Sequence, residues 1–149
     1  MNNNKSIQET EAEIIEAFSW FENWEEKYEY IIDLGKKLPE LNEQYKVEEN
    51  IIKGCQSTVW LTADFRNGKV FYKADSNAII VKGLVSMLIS VLSGHTPDEI
   101  LHAKLDFIKE IGMMTHLAQT RSNGLVAMVK QIKNYALAYK SVNVAEKTI

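Results

Sequence analysis

The stretch from Ala78 to Ser93 constrains this chain more than any other. Written out, AIIVKGLVSMLISVLS is apolar on nearly every side when wound as a helix. A helix without a polar face has to be wrapped by other elements. Lys82, Gly83, Ser86 and Ser90 interrupt it, and it is too short and too polar to cross a bilayer. The segment therefore predicts the central helix of a globular core, opened by cap candidates in Asp75-Ser76-Asn77 and stopped by Gly94. The remaining residues have to supply its shell.

A chain of 149 residues fits one domain and can bury such a core. Before the central helix, Thr58 to Phe65 alternates as a half-buried strand, with Val59, Leu61 and Ala63 on one face. Asn67-Gly68 marks a tight hairpin turn, and Val70 to Lys73 returns antiparallel. Two strands alone are marginal, so a third is expected around Glu49 to Lys53. Upstream, Ser6 with Glu9 has capping-box spacing and starts a helix to about Phe21. Asn23 with Glu26 opens a second, with Gly35 as its C-terminal stop. Trp20, Trp24 and Tyr28 recur at helical spacing and read as core, and the Met113-Met114 pair reads as core filling. Downstream, Thr96-Pro97-Asp98-Glu99 starts a short helix, one more turn precedes Gly112, and Met113 to Ser122 reads as a loop. A last helix is expected over about 123 to 140. Residues 1–149 thus make one domain, with an ordered core from about 6 to 140 and flexible termini.

Charge and cysteine content narrow the chemistry. The net charge is −3 with no long basic run, which argues against a nucleic-acid footprint. Met1 to Thr10 is polar, unlike a secretory signal, so a soluble, cytoplasmic, non-membrane protein is expected. One cysteine permits no internal disulfide, and with only His95, His102 and His116 beside it a structural metal is not expected. That cysteine, Cys55, sits in Lys53-Gly54-Cys55-Gln56-Ser57, a turn entering the first strand. Lone cysteines are often small buried hydrophobes. Here the neighbours are polar, and a loop-to-strand junction presents a thiol to a partner, so a working thiol competes with a packing one. Cys-His hydrolysis would need an orienting group and an oxyanion hole at a recognisable spacing, and the chain offers no such spacing.

The blocks Asn23-Trp24-Glu25-Glu26-Lys27-Tyr28, Tyr30 to Gly35, Leu38-Pro39-Glu40-Leu41, Gly54-Cys55-Gln56-Ser57, Val59-Trp60, Asp75-Ser76, Ile80 to Leu84, His116-Leu117 and Arg121 to Leu125 carry a resemblance. In this order, and over nearly the whole chain, they resemble the SufE family, sulfur-accepting partners of cysteine desulfurases in iron–sulfur cluster assembly. The resemblance implies an α+β fold: a single compact SufE/IscU-like domain with a curved antiparallel sheet flanked by helices. It assigns Cys55 the role of persulfide carrier. Gly54, Gln56, Ser57, Asp75, His116 and Arg121 match the family blocks as site-supporting or partner-binding residues. Gln56 and Ser57 would fix the loop by hydrogen bonds. Asp75 would steady it or simply cap the central helix, Lys82 reads as a solvated charge, and Arg121 stands equally for a structural ion pair.

The implied partners are a SufS-type cysteine desulfurase upstream and a SufBCD-type scaffold downstream, with a homodimer allowed. The implied cofactors are none, because the pyridoxal phosphate belongs to the desulfurase. On that reading the chain is an accessory protein and desulfurase activator rather than an enzyme. The alternative is an independent cysteine-nucleophile enzyme, a small-molecule sulfurtransferase or hydrolase. Persulfide carriage also favours a sheltered thiol, since an exposed persulfide loses its sulfur to stray thiols.

Overall fold

The structure, a computed structural model, describes residues 5–148, with side chains through residue 142. The element order is α1 Ile7–Ser19, α2 Trp24–Lys36, β1 Val59–Arg66, β2 Lys69–Ser76, α3 Ile79–Leu92, α4 Pro97–His102, α5 Phe107–Glu110, α6 Met113–His116 and α7 Gln119–Thr148, with two short 3-10 turns between α2 and β1. The expected α+β class is found. Of residues 1–5, expected to fray, Lys5 is ion-paired to Glu13 and residues 1–4 lie outside the described residues.

Helix α3 is the hub, packed by α1, α2, β2 and α7. Val81, Leu84, Val85, Leu88, Val91 and Leu92 are among its buried residues, as its all-round apolarity requires. Its start differs from expectation. The N-cap is Ala78, which makes no side-chain cap, because β2 runs on through Ser76 and draws Asp75 into the strand. Ser76 and Asn77 serve the loop instead: Ser76 Oγ donates to the Thr58 carbonyl at 2.8 Å, and Asn77 Oδ1 accepts from the Thr58 N–H at 3.2 Å. Thus the end of β2 holds the entry to β1, just after the cysteine loop.

Helix α2 crosses α3 at glycines. Gly35 was expected to stop α2, yet it lies inside the helix, where an added Cβ would come within 2.8 Å of the Gly83 nitrogen. A Cβ on Gly83 would collide with the Ile31 carbonyl oxygen. Two bare backbones thus let the axes approach, and Ser86 Oγ seals the contact by donating to the Leu34 carbonyl at 3.0 Å.

The hairpin pairs Val59 with Ser76 through Arg66 with Lys69, turning on Asn67 and Gly68 at φ 53° and 77°. Both positive angles are those a two-residue type I′ turn needs. The expected third strand shrinks to one bridge, Ile51 to Trp60, because the 3-10 turn Glu48–Asn50 before it and Gly54 after it bend the chain away. A second bridge, Val70 to His95, flanks the other edge. Helix α7 covers the buried face. Tyr72 Oη donates to the Ile132 carbonyl at 2.6 Å, Tyr139 Oη to the Ala63 carbonyl at 2.9 Å, and the Phe65 and Tyr139 rings stack at 5.1 Å.

Further expectations change. The loop expected from Met113 to Ser122 contains α6 and the start of α7, so Arg121 and Ser122 are helical; α7 then continues as helical backbone to Thr148, past the expected end near 140. Trp20 is not core but 76% exposed, and Met114 is exposed while Met113 is buried.

Candidate functional site

Cys55 is placed by a glycine before it and a helix behind it. Gly54 has φ 96°, which favours glycine, and a Cβ there would lie 3.2 Å from that of Ala127. The turn therefore sits directly on α7. Cys55 is half-buried, and its Sγ–H donates to the Gly124 carbonyl at 3.6 Å. A Cβ on Gly124 would lie 3.5 Å from Sγ, an ordinary van der Waals contact, so the thiol rests directly against α7 at this point.

The thiol opens on a cavity of about 250 Å³ lined by Gln56 and Ser57 from the loop, Val81 and Leu84 from α3, and Arg121, Gly124 and Met128 from α7. Burial pushes the Cys55 pKa above its ordinary value. The carbonyl beside it also favours S–H over thiolate, so the group rests protonated. Cavity-lining residues described here include no His, Asp or Glu, so the thiol has no general base in its own cavity.

The other expected residues divide. Gly54, Gln56, Ser57 and Arg121 gather at the thiol. Gln56 and Ser57 line the cavity but donate and accept no side-chain hydrogen bond among the described residues; the loop is tied instead by Ser76, Asn77 and the 2.8 Å bond from the Ile52 N–H to the Val59 carbonyl. His116 is not among the cavity residues. It stacks on Trp24 with centroids 4.1 Å apart, while Tyr28 Oη donates to its carbonyl at 3.1 Å.

Asp75 is neither a helix cap nor a surface charge. It faces Trp60 across the ladder and is 5% exposed. Its oxygens meet Lys46 Nζ at 3.2 Å and Lys82 Nζ at 3.3 Å, and accept the Ser76 N–H at 2.8 Å. Lys82 is thus an ion-pair partner rather than a solvated charge. Burial works to raise the Asp75 pKa, but the Ser76 N–H and the two lysines outweigh it and hold it below the ordinary value. Through Lys46, which also lies over the Trp60 ring at 5.7 Å, the carboxylate ties the segment leading into the cysteine loop to the hairpin and α3. Lys46 is the supporting residue that sequence reading missed, and its only local signal was a lysine amid acidic residues.

Fold and site together define a small α+β domain that presents one sheltered, protonated thiol at a cavity shared by a turn and two helices. Among the described residues no three His, Cys, Asp or Glu side chains cluster as a metal site, and no helix is long and apolar enough to cross a membrane. The family model described as "SufE: Fe-S metabolism associated domain" matches residues 12–136, and the chain belongs to the SufE family. It is 39% identical over 129 residues to an uncharacterized SufE-like protein of Rhizobium meliloti, covering 83% of this chain and 92% of the relative. An uncharacterized SufE-like protein of Synechocystis is 38% identical over 137 residues, 92% of this chain and 86% of the relative. The solution structure of a hypothetical protein from Thermus thermophilus shares the fold with a TM-score of 0.73, at 20% identity over 89% of this chain and 96% of that one.

Proposed function

We propose that the protein carries sulfur as a persulfide on Cys55, accepting it from a SufS-type cysteine desulfurase in the cytoplasm and passing it to a SufBCD-type iron–sulfur scaffold. The observation that carries this reading is the thiol itself: the chain's sole cysteine, half-buried at the mouth of a cavity that holds a cation, Arg121, but no general base. Such a thiol suits transfer from a docked donor better than independent hydrolysis, which needs a base and an oxyanion hole.

In the transfer, Cys55 loses its proton to a basic group of the docked complex and attacks the outer sulfur of the desulfurase persulfide. The S–S bond to the desulfurase cysteine breaks, that cysteine leaves as thiolate, and a new S–S bond forms on Cys55. Sulfane sulfur moves without net oxidation. The resulting persulfide anion has Arg121 on the same cavity wall. Because this chain has no second thiol, the persulfide cannot resolve internally to a disulfide and release its cargo. Emptying the desulfurase in this way accelerates it. The pyridoxal phosphate that liberates the sulfur belongs to that enzyme, and this chain needs no cofactor of its own.

The test mixes the protein with a cysteine desulfurase and cysteine, then takes an intact mass. The reading requires a gain of one sulfur, reversible by reductant and absent in Cys55→Ser, with loss of desulfurase stimulation in that variant. Full stimulation by folded Cys55→Ser, or small-molecule turnover by the isolated protein, overturns it.

A further inference from the structure

Helix α7 has two working faces. Gly124 and Met128 look toward the Cys55 cavity, while Leu125, Val126, Val129, Lys130 and Lys133 look into a second, larger groove of about 410 Å³. The opposite wall is the segment around α5, with Leu105 and Ile108 on the floor and Lys104 and Lys109 at the rim. Exposed Met114 closes one part of the wall, and Val126 is 56% exposed.

The groove combines an aliphatic floor with a basic rim. Lysines surround it, and Asp106 is the only acidic residue in its lining. The molecule as a whole is acidic, with 20 Asp and Glu against 17 Lys and Arg, so this rim runs against the overall charge. Lys133 is engaged, its Nζ donating to the Ala103 carbonyl at 2.6 Å. Lys104, Lys109 and Lys130 form no ion pair among the described residues.

From this charge complementarity we infer that the groove docks an acidic amphipathic helix of a partner protein, apolar side chains down and carboxylates to the lysines. The geometry matches such an occupant. The α7 stripe from Leu125 to Lys133 recurs at helical spacing and runs about 12 Å, roughly two helical turns, which is the ridge an antiparallel or crossing helix needs. A second copy of this chain does not supply the occupant. Its acidic helices α1 and α2 bury their apolar faces, through Ile7, Ile14, Phe18 and Ile31, in their own core. This docking site lies on the opposite face of α7 from the thiol and stands independently of the persulfide reading.

The probe is a synthetic peptide with leucines at i, i+3, i+4 and i+7 and glutamates elsewhere, titrated into the full chain and followed by anisotropy and by the Val126 and Val129 methyl resonances. Controls are the same peptide with lysines for glutamates and a scramble of identical composition. The acidic helix binds and shifts those methyls, while Val126→Asp and the double variant Lys109→Glu/Lys130→Glu each weaken it about tenfold or more. Both variants retain the wild-type Cys55 alkylation rate, which shows that they fold. Equal binding of the basic or scrambled peptide overturns the inference, as does affinity unchanged in the variants or no binding at all. It is equally overturned if the same substitutions abolish binding to phosphatidylglycerol vesicles rather than to peptide, which assigns the groove to a lipid surface. Concentration-dependent dimerisation removed by Val126→Asp would overturn it too, by assigning the groove to a second copy.

Discussion

Asp75 occupies the outward register of the hairpin, where a carboxylate is ordinarily solvated, yet Lys46, Lys82 and Trp60 enclose it. A group whose folded pKa is lowered contributes stability that is fully present above its unfolded pKa, about 3.9, and is lost as pH falls through the folded value. Asp75→Asn is therefore expected to cost about 2 kcal/mol at neutral pH, as a buried charge-assisted hydrogen bond does. The gap between wild type and variant closes as pH drops below about 4. Urea titrations at a series of pH values measure this, and a gap independent of pH would rule out the ion-pair account. Cys55 has the opposite sign. Its folded pKa is raised, so its contribution is present below the unfolded thiol pKa of about 8.5 and is lost as pH rises through the folded one. Iodoacetamide alkylation of the folded chain is accordingly expected to rise at higher pH than alkylation of the urea-unfolded chain; coincident profiles would contradict the sheltered thiol. Both residues stand out in the sequence, Cys55 from its polar neighbours and Gly54, and Asp75 from the family blocks as a residue that steadies the cysteine loop or caps the central helix; the buried ion pairs of Asp75 do not. The environment of Asp75 depends on Lys46, which is distant in sequence, and on a strand that runs further than local cap signals indicate.

Elements were readable where their chemistry is local. Ser6 with Glu9 and Thr96 with Glu99 form the reciprocal capping boxes their spacing announces. Asn67-Gly68 turns the hairpin, and α3 is buried as its all-round apolarity demands. What escaped reading was set by tertiary approach. Gly35 looks like a helix stop because nothing in its own helix reveals Gly83 against it. The start of α7 at Gln119 reads as loop because Ser122, Asn123 and Gly124 are weak helix formers; burial holds Ser122 and Gly124 there, and the Gln119 side chain donates to exposed Asn123 at 3.0 Å. The shortened third strand likewise follows from turns on both sides of Ile51. The glycine crossing yields a sharp contrast. Gly83→Ala puts a Cβ into the Ile31 backbone, which cannot swing aside as a side chain could, and is expected to cost about 3 kcal/mol. Gly68→Ala meets nothing within 4 Å and pays only for its positive φ, about 1 kcal/mol. Chemical denaturation of both orders them; equal losses would mean that α2 and α3 separate freely to admit the methyl.

At the scale of the molecule, a two-stranded hairpin is the whole sheet among the described residues, and such a hairpin does not hold itself. Its buried face is stabilised from two sides, by α3 and by the second half of α7 through Ile132, Tyr135, Ala136 and Tyr139. The same helix carries Gly124 beneath the thiol and Ala127 beneath Gly54. One long element thus braces the sheet at its far end and seats the reactive turn at its near end, which makes the site a property of the entire core rather than of one loop. Ending the chain at Lys130 tests that dependence, since it retains every α7 residue that lines the thiol cavity and removes the half that braces the sheet and holds α4 through Lys133 and Lys140. The expected outcome is loss of the cooperative urea transition, with Trp fluorescence and far-UV circular dichroism no longer coinciding. Cys55 alkylation should then rise toward the rate of the unfolded chain. A truncated protein that melted cooperatively with its thiol still protected would show that α3 alone suffices to hold the hairpin, and that the thiol's shelter is local to the first turns of α7.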